Sequence, residues 1–267
     1  MNVNGKTILL IGASGGIGQE VAKQLASKGA RLVLCGRHQQ KLHKLADEIS
    51  RAGGVAEILE GDIASDPKTI ARNAVALVGQ LDILVNCAGM QTFGFSQFEE
   101  SEDTAKVFAA NVIGPIQLIN ALLPDMLKRG SGRIVNVGSI FGSIGFPCFS
   151  SYSASKFALR GYSEALRREL HGTGIKVHYI APRYTKTGFN SSHVKQMADA
   201  LHMKQDHPEV VAMQVISAIE RSVPTRYLGW PEKIFVRLNA LLPGLVDISL
   251  CKQVKQMSLF ARMQIKR

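Results

Sequence analysis

Lys6-Thr-Ile-Leu-Leu-Ile-Gly-Ala-Ser-Gly-Gly-Ile-Gly18 decides the fold of this chain. Its first half is an apolar run of strand length with no polar alternation, as expected of a parallel strand buried on both faces. The run ends in glycine, and a helix-patterned segment follows, with Val21, Ala22, Leu25 and Ala26 on one side and Lys23 and Lys28 on the other. Glycines at 12, 16 and 18 permit a tight turn, close approach of backbone N–H groups to a pyrophosphate, and close packing of helix on strand. The spacing is G-x-x-x-G-x-G, not G-x-G-x-x-G, but the setting of strand, glycine turn and helix is that of a nucleotide-binding turn.

Working outward, strand-like runs at 7–12, 31–35, 55–59, 81–86, 133–138, 175–181 and 225–228 alternate with helix-length amphipathic segments. That alternation predicts an α/β fold: one doubly wound parallel sheet of about seven strands with helices on both faces, a Rossmann fold. A chain of 267 residues, 46% hydrophobic, is long enough to bury such a sheet in one domain. We place the dinucleotide-binding and catalytic domain at 1–230 and an apolar, basic C-terminal extension at 231–267. The second strand ends in Gly36-Arg37-His38, where an NAD-preferring protein usually shows an acid for the ribose 2′-hydroxyl. Arg37 offers a planar guanidinium to a 2′-phosphate instead, so NADP(H) is expected to be preferred over NAD(H).

Tyr152-Ser-Ala-Ser-Lys156 puts a phenol and an ammonium one helical turn apart, thirteen residues after Ser139. A phenol with a pKa near ~10 exchanges protons poorly at neutral pH; bringing it to ~7 takes about 4 kcal/mol of preferential stabilisation of the phenolate. A nearby lysine and a second cation, such as an oxidised nicotinamide, are expected to supply it.

With these pieces in order, the chain resembles the short-chain dehydrogenase/reductase family over roughly residues 5–190. The turn Gly12, Ser14, Gly16, Ile17 and Gly18 is similar to the family's cofactor motif, although Ile11 stands where threonine is usual. Asp62 and Ile63 match its adenine contact, and Asn86-Cys-Ala88-Gly89 resembles its Asn-Asn-Ala-Gly. Asn111, Ser139, Tyr152 and Lys156 match its catalytic tetrad. The resemblance implies that Ser139 polarises a carbonyl, Tyr152 exchanges the proton, Lys156 tunes the phenol and holds the nicotinamide ribose, and Asn111 anchors a water behind it. Pro182, Thr185 and Thr187 match the loop that touches nicotinamide. Arg183 replaces the usual glycine there; it either reaches an anionic substrate group or the cofactor phosphates, or is a solvated loop arginine. The resemblance also implies a homodimer or homotetramer and a small-molecule carbonyl substrate. The apolar turn Ile144 to Phe149 and the region Phe189 to Met213 are expected to line the pocket, favouring an acyl, lipid-like or steroid-like substrate. Two other readings are a catalytically silent dinucleotide-binding sensor and a membrane-associated interaction protein on the same scaffold.

The four cysteines form no C-x-x-C and read as free thiols of a reducing compartment; the seven histidines show no metal-ligand pattern, so no metal is expected. No signal peptide is apparent before the first strand, which points to the cytoplasm. Part of the net charge of +11 lies in the tail, where Lys252, Lys255, Arg262, Lys266 and Arg267 oppose an apolar set, Leu250, Val254, Met257, Ala261 and Ile265, at helical spacing. This segment is expected to be an amphipathic helix that packs on its own domain or a second subunit, covers the substrate as a lid, or makes peripheral membrane contact through 248–267. Nucleic acid is not an expected partner, because the tail lacks interleaved aromatics and no recognition motif appears.

Overall fold

Strands without polar alternation must lie between two layers of helices, and the computed structural model, which describes the backbone of residues 1–265 and side chains through Met263, puts them there. β1 (Thr7–Ile11), β2 (Arg31–Gly36), β3 (Val55–Glu60), β4 (Ile83–Asn86), β5 (Gly132–Val137), β6 (Ile175–Ala181) and β7 (Thr225–Tyr227) form one sheet. Their order is β3-β2-β1-β4-β5-β6-β7, and every pair is parallel. All seven runs read from the sequence are strands, with small shifts at their ends. The edges are blunted: β3 exposes Glu57 and Glu60, and β7 is only three residues long.

The helices are α1 (Gly16–Ser27), α2 (Gln39–Arg51), α3 (Pro67–Val78), α4 (Ser101–Phe108), α5 (Gly114–Arg129), α6 (Ser150–Glu169), α7 (Ser192–Ala200), α8 (Pro208–Glu220), α9 (Glu232–Leu241) and α10 (Pro243–Ile265). α1, α2 and α8 bury their apolar faces on one side of the sheet, and α3, α5 and α6 on the other. Local chemistry sets several ends. Asp66 caps α3 by accepting from the Thr69 N–H at 3.1 Å, with Pro67 in the first turn, and Gly130 closes α5 in the left-handed conformation. Between α4 and α5 the chain makes a π-helical turn, Ala109–Ile113. Pro115 has no N–H to return to the carbonyl four residues back, so the regular ladder cannot close over Asn111. The run Ser101–Arg129 is long and apolar enough to cross a bilayer, but half of its apolar window is buried in the fold.

The C-terminal segment packs on the rest of the chain. Val236 and Val246 join Ile140, Ile144, Tyr179 and Ala181, while Met257 and Ala261 join Phe149, Tyr152, Val194 and Met197. Of the three readings of its apolar stripe, α10 follows the packing of that stripe on its own domain: Met257 and Ala261 are fully buried, and Leu250 and Val254 are half-buried. The side chain of Ile265 and the residues Lys266 and Arg267 lie outside the described residues.

Candidate active site

The sheet order reverses between β1 and β4, and loops from the carboxyl ends of the two strands diverge there to leave a crevice. A cavity of about 1190 Å³ runs from this crevice to the inner sides of α9 and α10. At its nucleotide end the glycines are dictated by contact. Gly12 has φ +78°, and a Cβ on it would lie 2.6 Å from the Ala88 nitrogen. A Cβ on Gly16 would lie 2.6 Å from Thr187 Cγ2, and one on Gly18 would run into the Gly12 carbonyl. No side chain caps α1, whose N-cap is Gly15, so its first-turn N–H groups face the cleft free for an anion. This cradle, which any side chain would fill, fits the pyrophosphate of a nicotinamide dinucleotide.

Ser14, Ile17, Arg37, Asp62, Ile63, Ala88 and Gly89 line the same cavity, as do Pro182, Thr185 and Thr187. Arg37 leans toward Asp62 at 3.7 Å with both side chains substantially exposed. Asn86 lies apart from these. It is buried at the register position of Asn136 and donates to the Asn136 carboxamide oxygen at 2.9 Å; Asn136 donates to Ser163 Oγ at 2.9 Å. In the structure, Asn86 therefore ties β4 to β5 and leads through Asn136 to α6, away from the cleft.

Ser139, Tyr152 and Lys156 meet in the middle of the cavity. Ser139 lies two residues beyond β5 in extended backbone, and its Oγ accepts from the Phe141 N–H at 3.1 Å. Tyr152 and Lys156 project from one face of α6, are 7% and 3% exposed, and place the Lys156 Nζ 5.8 Å from the phenol ring centre. Asn111 sits behind them in the π turn, fully buried. It exchanges two 2.8 Å hydrogen bonds with the Met90 backbone and donates to Ser155 Oγ at 2.9 Å.

The expected acid phenol is not what the protein alone produces. Burial pushes Tyr152 up to about 12, with a Ser139 hydrogen bond pulling the other way. Burial also pulls Lys156 down to about 8. Desolvation penalises both charged forms and is the largest cause of each shift. At neutral pH the phenol is therefore protonated and the amine still mostly charged, which is the starting state of a proton donor.

Further side chains complete the site. Tyr179, fully buried on β6, donates from its hydroxyl to the Ser139 carbonyl at 3.2 Å and fills the space beside Gly138 and Gly142 that side chains there would need. Arg183 is not a solvated loop arginine: it lines the cavity with its guanidinium already engaged by acids. It donates to Asp206 at 2.7 Å and to Glu232 at 3.1 Å, pinning the loop after β6 to the start of α9. Aromatic rings close the substrate end: Phe141 stacks on Phe146 at 4.4 Å, Phe93 packs on Phe149 at 4.9 Å, and Phe189 lies 6.2 Å from the Tyr152 ring. The sequence-predicted lining at 144–149 and 189–213 is present through Ile144, Phe146, Phe149, Val194, Met197 and Met203, but its last part is not: residues 208–213 begin α8, where Val211 and Ala212 pack in the core with α1 and Met213 is exposed.

Known proteins resemble this chain in sequence and fold. The profile of the short chain dehydrogenase family matches residues 6–198. Ketoacyl reductase HetN of Nostoc sp. is 31% identical over 251 residues, covering 93% of this chain and 84% of that protein. A gluconate 5-dehydrogenase from Burkholderia cenocepacia, solved with NADP and tartrate, has a TM-score of 0.77 at 25% identity, over 85% of this chain and 94% of that one. A short chain dehydrogenase/reductase from Burkholderia phymatum solved with NAD shares the fold with a TM-score of 0.84 at 24% identity, over 92% and 96%. With a matching profile over most of its length and a cleft shaped for a nicotinamide dinucleotide, the chain belongs to the short-chain dehydrogenase/reductase family of alcohol and ketone oxidoreductases.

Proposed function

We propose that this protein is an NADP(H)-preferring reductase of carbonyl groups on apolar substrates. The observation that carries the reading is the placement of a protonated, buried Tyr152 at the wall of an aromatic box. The dinucleotide, when bound, supplies the hydride that reaches the carbonyl carbon. Ser139 donates a hydrogen bond to the carbonyl oxygen, and Tyr152 delivers the proton that completes the alcohol. Lys156 offsets the negative charge left on the phenolate, and Asn111 fixes the Met90 and Ser155 wall beside it. Cofactor-binding roles are assigned to the cleft-lining residues named above, with Arg37 toward the 2′-phosphate. Its long contact with Asp62 is worth at most about 1 kcal/mol at such exposure, so a phosphate dianion competes readily.

Exposed Ile113, Leu127 and Phe157 on the outer sides of the π turn, α5 and α6 support pairing of subunits as a homodimer or homotetramer. Free Cys35 and Cys87, both pushed up to about 12 by burial, are inert thiols and support a reducing, cytoplasmic setting. The test is cofactor oxidation with NADPH and NADH against a panel of ketones and aldehydes that includes oxo-acyl esters and cyclic ketones. Turnover with NADPH on apolar members is expected; a preference for small polyols or for NADH would overturn the reading.

A further inference from the structure

α10 is apolar on two sides. Its inner stripe faces the cavity and core, as described above. Its outer stripe begins with Leu245 and Ile248, 54% and 58% exposed, and continues at the same helical spacing with Lys252, Lys255 and Leu259. Exposed Ile234 and Leu241 on α9, Leu242 at the junction and Trp230 just before α9 extend the apolar surface. Leu241, at 78%, is the most exposed large apolar side chain among the described residues. Isolated exposed leucines need no explanation, but a contiguous set along two consecutive helices does.

The charge around this set is one-sided. Among the described residues from Trp230 onward there are five lysines or arginines (Lys233, Arg237, Lys252, Lys255 and Arg262) and two acids, Asp247 and Glu232, the latter held by Arg183. Arg237, Lys252 and Lys255 are exposed beside the apolar residues. The cavity also reaches the surface here, since Phe235 both lines it and is 42% exposed, and Val246 and Leu250 line it from α10.

We propose that the outer face of α9 and the first turns of α10 docks on an anionic lipid surface, with the substrate cavity opening beside the bilayer. Charges at 247, 252 and 255 keep α10 from spanning the membrane, so it lies along the headgroup boundary with its leucines in the acyl region. Basic side chains around the apolar set then meet lipid phosphates, and Trp230 sits at the interfacial level that suits indole. A second copy of the chain is a poorer occupant: a two-fold contact would bring Arg237, Lys252 and Lys255 toward their own counterparts. The docking surface differs from the 248–267 stripe read from sequence, which the fold has turned inward. The proposal stands apart from the substrate reading, because vesicle binding is measured without turnover.

Trp230 is the only tryptophan, so the intact protein carries its own probe. We expect the full chain to co-sediment with vesicles of phosphatidylcholine mixed with phosphatidylglycerol more strongly than with phosphatidylcholine alone. Its emission should shift to the blue on binding, and added salt should weaken the association. The triple variant Leu241→Ser/Leu245→Ser/Ile248→Ser, all surface changes outside the cavity, should partition at least about tenfold less. Arg237→Glu/Lys252→Glu should remove the preference for the anionic lipid. The proposal is overturned if the wild-type chain stays free of anionic vesicles, or if the triple variant binds them as well as wild type. Loss of vesicle binding together with a change of oligomeric state only in the triple variant would assign the face to a subunit contact instead.

Discussion

The two ends of the cleft are built by different means. At the nucleotide end, position is set by backbone within a few residues: Gly12, Gly16 and Gly18 are fixed by what a Cβ would strike, and α1 begins where the turn releases it. At the substrate end the parts come from distant segments. Rings from 93, 141, 146, 149 and 189 meet there, Arg183 joins Asp206 to Glu232, and α10 returns to cover Phe149 and Tyr152. Local backbone geometry makes one half rigid, whereas the other half depends on side-chain pairs that single changes can undo.

Removing the Arg183 guanidinium should produce the largest stability effect. Arg183→Leu leaves two mostly buried carboxylates without their cation, and we expect about 3–4 kcal/mol of destabilisation by denaturant titration, with the loop around 183–206 and α9 losing amide protection first. If protection falls equally at the glycine turn, the two ends are one cooperative unit and the contrast fails.

His178 gives a pH-dependent test of the stability of the sheet. It is buried on β6, donating from Nδ1 to the Val223 carbonyl and accepting from Arg133 at Nε2, and burial pulls its pKa down to about 4. The unfolded chain, with His near 6.5, binds the extra proton first as pH falls, so stability is full above about 6.5 and declines toward about 4. The decline should approach about 3 kcal/mol in wild type and shrink in His178→Gln, measured by urea unfolding at several pH values.

The smallest effect is expected at the nucleotide end. Arg37→Asp should move the NADPH to NADH ratio of kcat/KM by about tenfold or more while leaving thermal stability within about 0.5 kcal/mol. An unchanged ratio would mean that the 2′-phosphate is held by other groups.

This division explains what could be read from the chain. The seven strands and the glycine turn follow from periodicity and from residues that only one backbone path accommodates, so local sequence suffices. Ser139, Tyr152 and Lys156 were legible as a spacing and Asn111 only through the family resemblance; the fold brings the first three into one cavity with Asn111 behind them. The opening of the helix at Asn111 had a signal in Gly114-Pro115 that the spacing argument passed over. Arg183 had none: its carboxylate partners lie 23 and 49 positions away, and only the fold selects them. Asn86 shows the converse, since its position in a motif pointed to the cofactor while its side chain serves the sheet. The stripe on α10 was read correctly as periodic, but periodicity does not say which of two apolar faces turns inward. The phenol's acidity was read from a lysine and a second cation together, and burial, which spacing does not report, works against it in the protein alone.

The most direct test is single-turnover NADPH oxidation with an apolar ketone, comparing wild type with Tyr152→Phe and titrating NADPH binding to both. With the phenol as proton donor, hydride transfer should fall by about 10²–10⁴-fold in Tyr152→Phe while NADPH affinity stays within about threefold. Turnover retained by Tyr152→Phe at the wild-type rate, with NADPH bound, would contradict the assignment of the acid.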